Sequence, residues 1–151
     1  RIAKQSAHTT DGNACTNELS QRAIARALCN HPELHRMVPI FELEYAQHSR
    51  LYYKDGDLTS QSGVRQGSVL GPCWFAFAIH DDLRRIADDN KDVRILAYLD
   101  DITVVGPAAR AAAVSARIEE AFAPLCLQVN RNKSEWLSTT AAQAPPGFMT
   151  P

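Results

Sequence analysis

Apolar residues recur at helical spacing in four stretches of the chain and in short β-prone runs between them. The first helical stretch is "ELSQRAIARALC", Glu18 to Cys29, with Asn17 as a candidate N-cap and "NHP" at 30–32 as its stop. A second covers about 33–47. A third, "GSVLGPCWFAFAIHDDLRRIA", is apolar in its first half and charged in its second, with Pro72 near its start, where proline is tolerated. The fourth, from about Ala108 to Phe122, puts Val114, Ile118 and Phe122 on one stripe.

Between the helices, "RLYYKDGDLTS" reads as a hairpin turning at Asp55-Gly56 or Gly56-Asp57. "VRILAYL" and "ITVVG" read as two strands joined by a tight turn. "LCLQVN" and "SEWLS" read as short closing strands around a turn at 131–133, and a weaker strand precedes Ala14. The order β, α, α, β-hairpin, α, β-hairpin, α, β predicts an α+β domain, with helices packed on one face of a small antiparallel sheet.

Composition narrows the class without naming a partner. A chain of 151 residues with 45% apolar and 22% charged residues suits one domain with a sizeable core and excludes a disordered charged tail. The net charge of -1 announces no nucleic-acid partner. Cys15, Cys29, Cys73 and Cys126 are widely spaced with no C-x-x-C, a pattern of reduced intracellular thiols. No apolar run reaches transmembrane length, so no membrane partner is expected. The sequence begins without Met and is expected to be a segment of something longer.

Three acidic doublets sharpen the picture. Asp81-Asp82 and Asp88-Asp89 fall in polar helical surroundings and read as solvated surface. Asp100-Asp101 instead interrupts two strand-forming runs, in "ILAYLDDITVVG", where adjacent carboxylates are costly unless a cation offsets them. Alternation along a strand would give Tyr98 and Asp100 one face, and Leu99 and Asp101 the other. At a hairpin tip both carboxylates can reach one sheet edge, as ligands for a hard divalent cation such as Mg²⁺; two water-facing turn aspartates are the alternative. His31 and His35, at i and i+4, are separated by Pro32 and lack a third ligand, which argues against zinc. "WFAFA" at 74–78 is a core stripe rather than a base-stacking platform.

Four motifs taken together carry a resemblance. Tyr98-Leu99-Asp100-Asp101 matches the Y-x-D-D signature of reverse transcriptases. "SGVRQGSVLGP" (62–72), "DGNACTNELSQRAI" (11–24) and "LQVNRNKSEWL" (127–137) resemble further motifs of the same family, in the same order. The wording is most similar to reverse transcriptases of non-LTR retrotransposons, over roughly residues 8 to 138. The resemblance implies a polymerase palm-like (ferredoxin-like) fold. Residues 1–151 would form a single palm domain lacking most of the fingers and the thumb. It implies an RNA-directed DNA polymerase that adds dNTPs to a DNA primer on an RNA template, inside the cell and, by family, in the nucleus. Oligomeric state stays open.

Residue by residue, the resemblance implies two Mg²⁺ ions, with Mn²⁺ as a substitute, held by Asp11, Asp100 and Asp101. Gln66 and Gly67 would lie against nucleotide and template, and Arg65 would touch phosphate. Lys133 would stand near the leaving pyrophosphate, and Tyr98 beneath the hairpin near the primer end. Each has a plainer alternative: a turn aspartate in "TTDG" for Asp11, a ligand-free loop for Gln66 and Gly67, a surface arginine for Arg65, a solvated turn lysine for Lys133, a core tyrosine for Tyr98.

One departure stands out. Thr16 occupies the place where the family carries Phe or Tyr to block a ribose 2′-hydroxyl, so sugar discrimination is expected to weaken. A one-residue shift of the alignment supplies no aromatic either. A catalytically silent remnant or domesticated scaffold is therefore the alternative function. An RNA-dependent RNA polymerase or a nucleotide cyclase fits the "VRQGSVLGP" and "AYLDD" wording less well.

Overall fold

A computed structural model of the chain describes residues 19–46, 63–65, 67–138 and 144–150, and as backbone alone the strands at 2–6, 49–53 and 56–60 and residue 132. Six strands and four α-helices are formed among them: β1 Ile2–Ser6, α1 Gln21–Asn30, α2 Val38–Tyr45, β2 Ser49–Tyr53, β3 Gly56–Ser60, α3 Gly71–Asp89, β4 Arg94–Tyr98, β5 Asp101–Val105, α4 Ala108–Phe122 and β6 Glu135–Leu137. Their order is the one expected from the sequence.

The main sheet runs β4-β5-β1-β6 with every pairing antiparallel, and β2-β3 form a separate hairpin. Directly opposed residues share a face. Ile95 opposite Val104 and Ala97 opposite Ile102 therefore face one way, and Leu96 opposite Thr103 the other. α3 and α4 cover the first face: α3 packs on β4, and α4 on β5 and β1. Ile102, Val104 and Trp136 are buried there, whereas Leu96, Tyr98, Asp101 and Glu135 are exposed on the open face. This is the α+β, palm-like arrangement with helices on one side only.

The core is set by the predicted stripes. Val114, Ile118 and Phe122 are fully buried along α4 and meet Trp74, Phe75, Ala78, Ile79, Leu83 and Ile86 from α3. α1 adds Ile24 and Leu28 against α3. "WFAFA" is core, as expected: Trp74 and Phe75 are almost wholly enclosed. No helix among the described residues is long and apolar enough to cross a membrane, and Cys29, Cys73 and Cys126 are free, exposed thiols.

Several local expectations are corrected. α1 begins at Gln21 after Ser20, not at Glu18; the candidate cap Asn17 lies outside the described residues. The second helical stretch divides into a 3₁₀ segment, Pro32–Met37, followed by α2, because two prolines (Pro32 and Pro39) each restart the helix at its first turn. In the β2–β3 hairpin Tyr53 pairs with Gly56, so the connection is residues 54–55 and Gly56 already belongs to β3. "LCLQVN" forms no strand. After a 3₁₀ turn, Ala123–Leu125, Cys126 takes φ +62, and the backbone reverses before an extended run can start.

Candidate active site

The β4–β5 hairpin closes through only Leu99 and Asp100, since Tyr98 pairs directly with Asp101. Strand alternation ends at Tyr98 and resumes at Asp101 across this two-residue turn. Tyr98 and Asp101 therefore share the open face, which corrects the expected grouping of Tyr98 with Asp100. Leu99 takes φ +53, a left-handed conformation that costs a side-chain-bearing residue about 1–2 kcal/mol. A positive φ at the first of two central positions is what a type II′ hairpin turn has, and glycine is its usual occupant. Tyr98 is 78% exposed, so it is a surface residue of the open face, not core. Asp101 is exposed and Asp100 half-buried.

The sheet register gathers other candidates at the same end. Ser6, the last residue of β1, pairs with Asp101. On the far side of β1 the last pair is Lys4 with Glu135. Lys133, two residues before Glu135, lies in a turn that packs against β1. It is exposed in a 3₁₀ turn, Arg131–Lys133, that Arg131 anchors by pairing with Glu119 and by lying 5.0 Å over the Phe148 ring. Asp11, Thr16 and Gln66 lie outside the described residues.

The segment ahead of α3 supplies the facing wall. Val64, Arg65, Gly67, Ser68, Gly71, Pro72 and Phe75 enclose, with Leu99 and Asp100, a pocket of about 210 Å³. Arg65, Gly67 and Asp100 are thereby brought together from positions far apart in sequence. Gly67 takes φ +85, which glycine adopts without strain. Gly71 is needed for closeness, because a Cβ there would stand 3.3 Å from the Arg65 carbonyl oxygen. The wall is tied to the start of α1, since the Gly63 amide donates to the Leu19 carbonyl at 2.9 Å and the Gln21 side-chain amide donates to the Gly63 carbonyl at 3.3 Å.

Two residues that carried no sequence expectation also hold this wall. The Arg65 amide donates to the Tyr45 hydroxyl at 3.0 Å, and burial pushes the Tyr45 phenol up, keeping it neutral. Glu44 accepts from the Ser68 hydroxyl at 2.9 Å and from the Trp74 indole at 2.7 Å. A signal was available: Glu44 lies in the last turn of α2, where the helix dipole disfavours a carboxylate.

The aspartates of the other two acidic doublets lie along α3 and are all ion-paired: Asp81 binds His31, Asp82 binds Arg85, Asp88 binds Lys91, and Asp89 binds Arg117. Hydrogen bonding to Asp81 raises the His31 pKa, while Lys91 holds Asp88 low. His35 is engaged with the Cys29 carbonyl. No cluster of three metal-ligating side chains occurs among the described residues.

A one-sided antiparallel sheet with an acidic hairpin tip, facing a glycine-bearing turn across a small pocket, is a palm-like arrangement. Residues 18–145 match the family model described as reverse transcriptase (RNA-dependent DNA polymerase), and the chain belongs to that family. The matched span begins after Asp11 and Thr16. The 132 kDa protein of the retrotransposable element SLACS, from Trypanosoma brucei gambiense, is 33% identical over 135 residues; these are 86% of this chain and 11% of that protein. Among solved structures, telomerase from Candida albicans in complex with a fragment of telomeric RNA has a TM-score of 0.68 at 13% identity, covering 94% of this chain and 28% of that one. Apo telomerase from Candida tropicalis, truncated from its C-terminal domain, has a TM-score of 0.69 at 14% identity, covering 95% and 31%. At such identities these two speak for the fold alone.

Proposed function

We propose that residues 1–151 are the palm domain of an RNA-directed DNA polymerase from a non-LTR retrotransposon, extending a DNA primer with dNTPs on an RNA template. One observation carries this reading: the two described ends that flank residues 7–18 are each bound to a chain neighbour of the pocket lining, Ser6 beside Asp100 and Leu19 beside Val64. Ser6 pairs with Asp101, and the Leu19 carbonyl is bound by Gly63, two residues before Arg65. The intervening chain carries Asp11, five residues past Ser6, within a reach of roughly 17 Å.

The donor set fits a hard divalent cation. Asp100 and Asp101 are consecutive carboxylates at the hairpin tip, and Asp11 would complete the set. Bound Mg²⁺, with Mn²⁺ as substitute, would supply charge neutralisation for phosphoryl transfer and a lowered pKa for the primer hydroxyl. Arg65 and Gly67 would present a cation and an open backbone to the nucleotide, with Gln66 between them, and the exposed ring of Tyr98 would support the primer end. Lys133, at the same end of the sheet, would face the departing pyrophosphate as a cation and proton source. Fingers and thumb would come from elsewhere in the polypeptide, as the 11% coverage of the trypanosome protein permits.

Primer extension on an RNA template by the intact parent polypeptide tests this. Asp101→Ala should abolish incorporation of dNTPs, and surviving activity would remove the metal assignment. Thr16 is the residue that favours the alternative of a silent scaffold, which wild-type incorporation would exclude.

A further inference from the structure

The placement of the pocket wall is assigned by side chains outside every motif that resembles the family. We infer that Glu44 and Tyr45, at the end of α2, are positioning residues that fix the 65–71 turn against the hairpin and so set the shape of the nucleotide pocket. The inference rests on the reading of that pocket as a nucleotide site.

Both residues act on the turn at different points. The Tyr45 hydroxyl accepts the Arg65 amide, fixing where the turn begins. Glu44 accepts from Ser68 in the middle of the turn and from Trp74 just inside α3. The Ser68 hydroxyl in turn accepts the Leu70 amide at 3.2 Å, which passes the constraint to the start of the helix. One carboxylate therefore locks the turn to the helix that follows it.

One partner of Glu44 belongs to the core. Trp74 is fully buried, and Phe41 holds both elements by stacking on Tyr45 at 4.9 Å and meeting Trp74 edge-on at 5.6 Å. Glu44 is therefore anchored to core through its second oxygen while its first holds Ser68. Hydrogen bonds to a charged acceptor are the stronger kind. The position also opposes the α2 dipole, so Glu44 is not there to stabilise its own helix. At Gly67, between the two anchors, the space where a Cβ would stand is open among the described residues. Remove the two anchors and the turn facing Asp100 loses the side-chain ties made by α2.

The test uses the whole chain and two internal reporters. Trp74 and Trp136 are the only tryptophans, and their indole N–H resonances separate a reporter bound to Glu44 from one on β6, the edge strand opposite β4. Mg²⁺–dATP titration of the wild type should shift the Trp74 indole and the Gly67 amide and leave the Trp136 indole unmoved. Glu44→Ala should weaken dATP about tenfold, and Glu44→Gln, which keeps an acceptor for Trp74, should recover most of that loss. Tyr45→Phe should give a smaller loss, with faster exchange of the Arg65 amide. The Trp136 resonance and the melting curve show whether each variant is folded. If wild type binds dATP and folded Glu44→Ala binds it equally well, the positioning role is overturned while the nucleotide site stands. If wild type gives no response at all, the nucleotide site itself is overturned, and the positioning role with it.

Discussion

Leu99 offers a sharp test of the hairpin geometry, because two substitutions there should rank opposite to their usual order. Its φ of +53 costs a non-glycine residue about 1–2 kcal/mol. Its side chain is 39% exposed, so burial contributes roughly 1–2 kcal/mol of the 1.5–3 available to a fully buried leucine. Leu99→Ala keeps the strained backbone and loses that burial, so it should destabilise by about 1–2 kcal/mol. Leu99→Gly loses the same burial but relieves the strain, against about 0.5–1 kcal/mol of extra unfolded-state entropy. Glycine should therefore be more stable than alanine by about 0.5–1 kcal/mol, although glycine within strands is ordinarily the worse residue. Urea unfolding of the two variants, followed by tryptophan fluorescence, measures the difference without needing any activity. Alanine equal to or better than glycine would mean that the turn does not hold residue 99 in the left-handed region, and the placement of Asp100 derived from it would fall.

Other consequences follow from particular side chains. The Ser115 hydroxyl is buried in α4 with no hydrogen-bond partner among the described residues, so Ser115→Ala should stabilise by about 1 kcal/mol; a lower melting temperature would show that the hydroxyl is satisfied after all. The His31 pKa is raised by Asp81, so that link stabilises fully below the ordinary 6.5 and is lost as pH rises through the raised folded value. The urea midpoint should therefore fall more steeply above pH 6.5 in wild type than in Asp81→Asn, and parallel profiles would remove the link. Thr16→Phe in the intact polypeptide should raise the preference for dNTPs over rNTPs; an unchanged ratio would mean that position 16 does not face the sugar.

The fold was legible where one physical signal dominated. The α4 stripe gave the bounds 108–122 because its apolar spacing is uninterrupted, and Pro72 marked the first turn of α3 because proline has few other places in a helix. The hairpin was legible from its two β-prone runs, but not which residues share its faces. That depends on the turn consuming two residues, a fact of pairing rather than of composition. "LCLQVN" misled because β propensity says nothing of the left-handed Cys126 that ends α4's continuation. Glu44 and Tyr45 were invisible for a related reason: their partners, Arg65, Ser68 and Trp74, lie 20 to 30 positions away. Of the motif residues, Arg65, Gly67 and Asp100 line the pocket, while Glu44 and Tyr45, which tie its turn to α2, emerged only from tertiary contacts.

The most direct measurement is a substoichiometric Mn²⁺ titration of the ¹⁵N-labelled chain, because the three acidic doublets compete for the ion within one molecule. A shared site requires the amides of Asp11, Asp100 and Asp101 to broaden together, ahead of Asp81-Asp82 and Asp88-Asp89, and to be spared in Asp100→Asn/Asp101→Asn. Broadening that spares Asp11, or that appears first along α3, would contradict it.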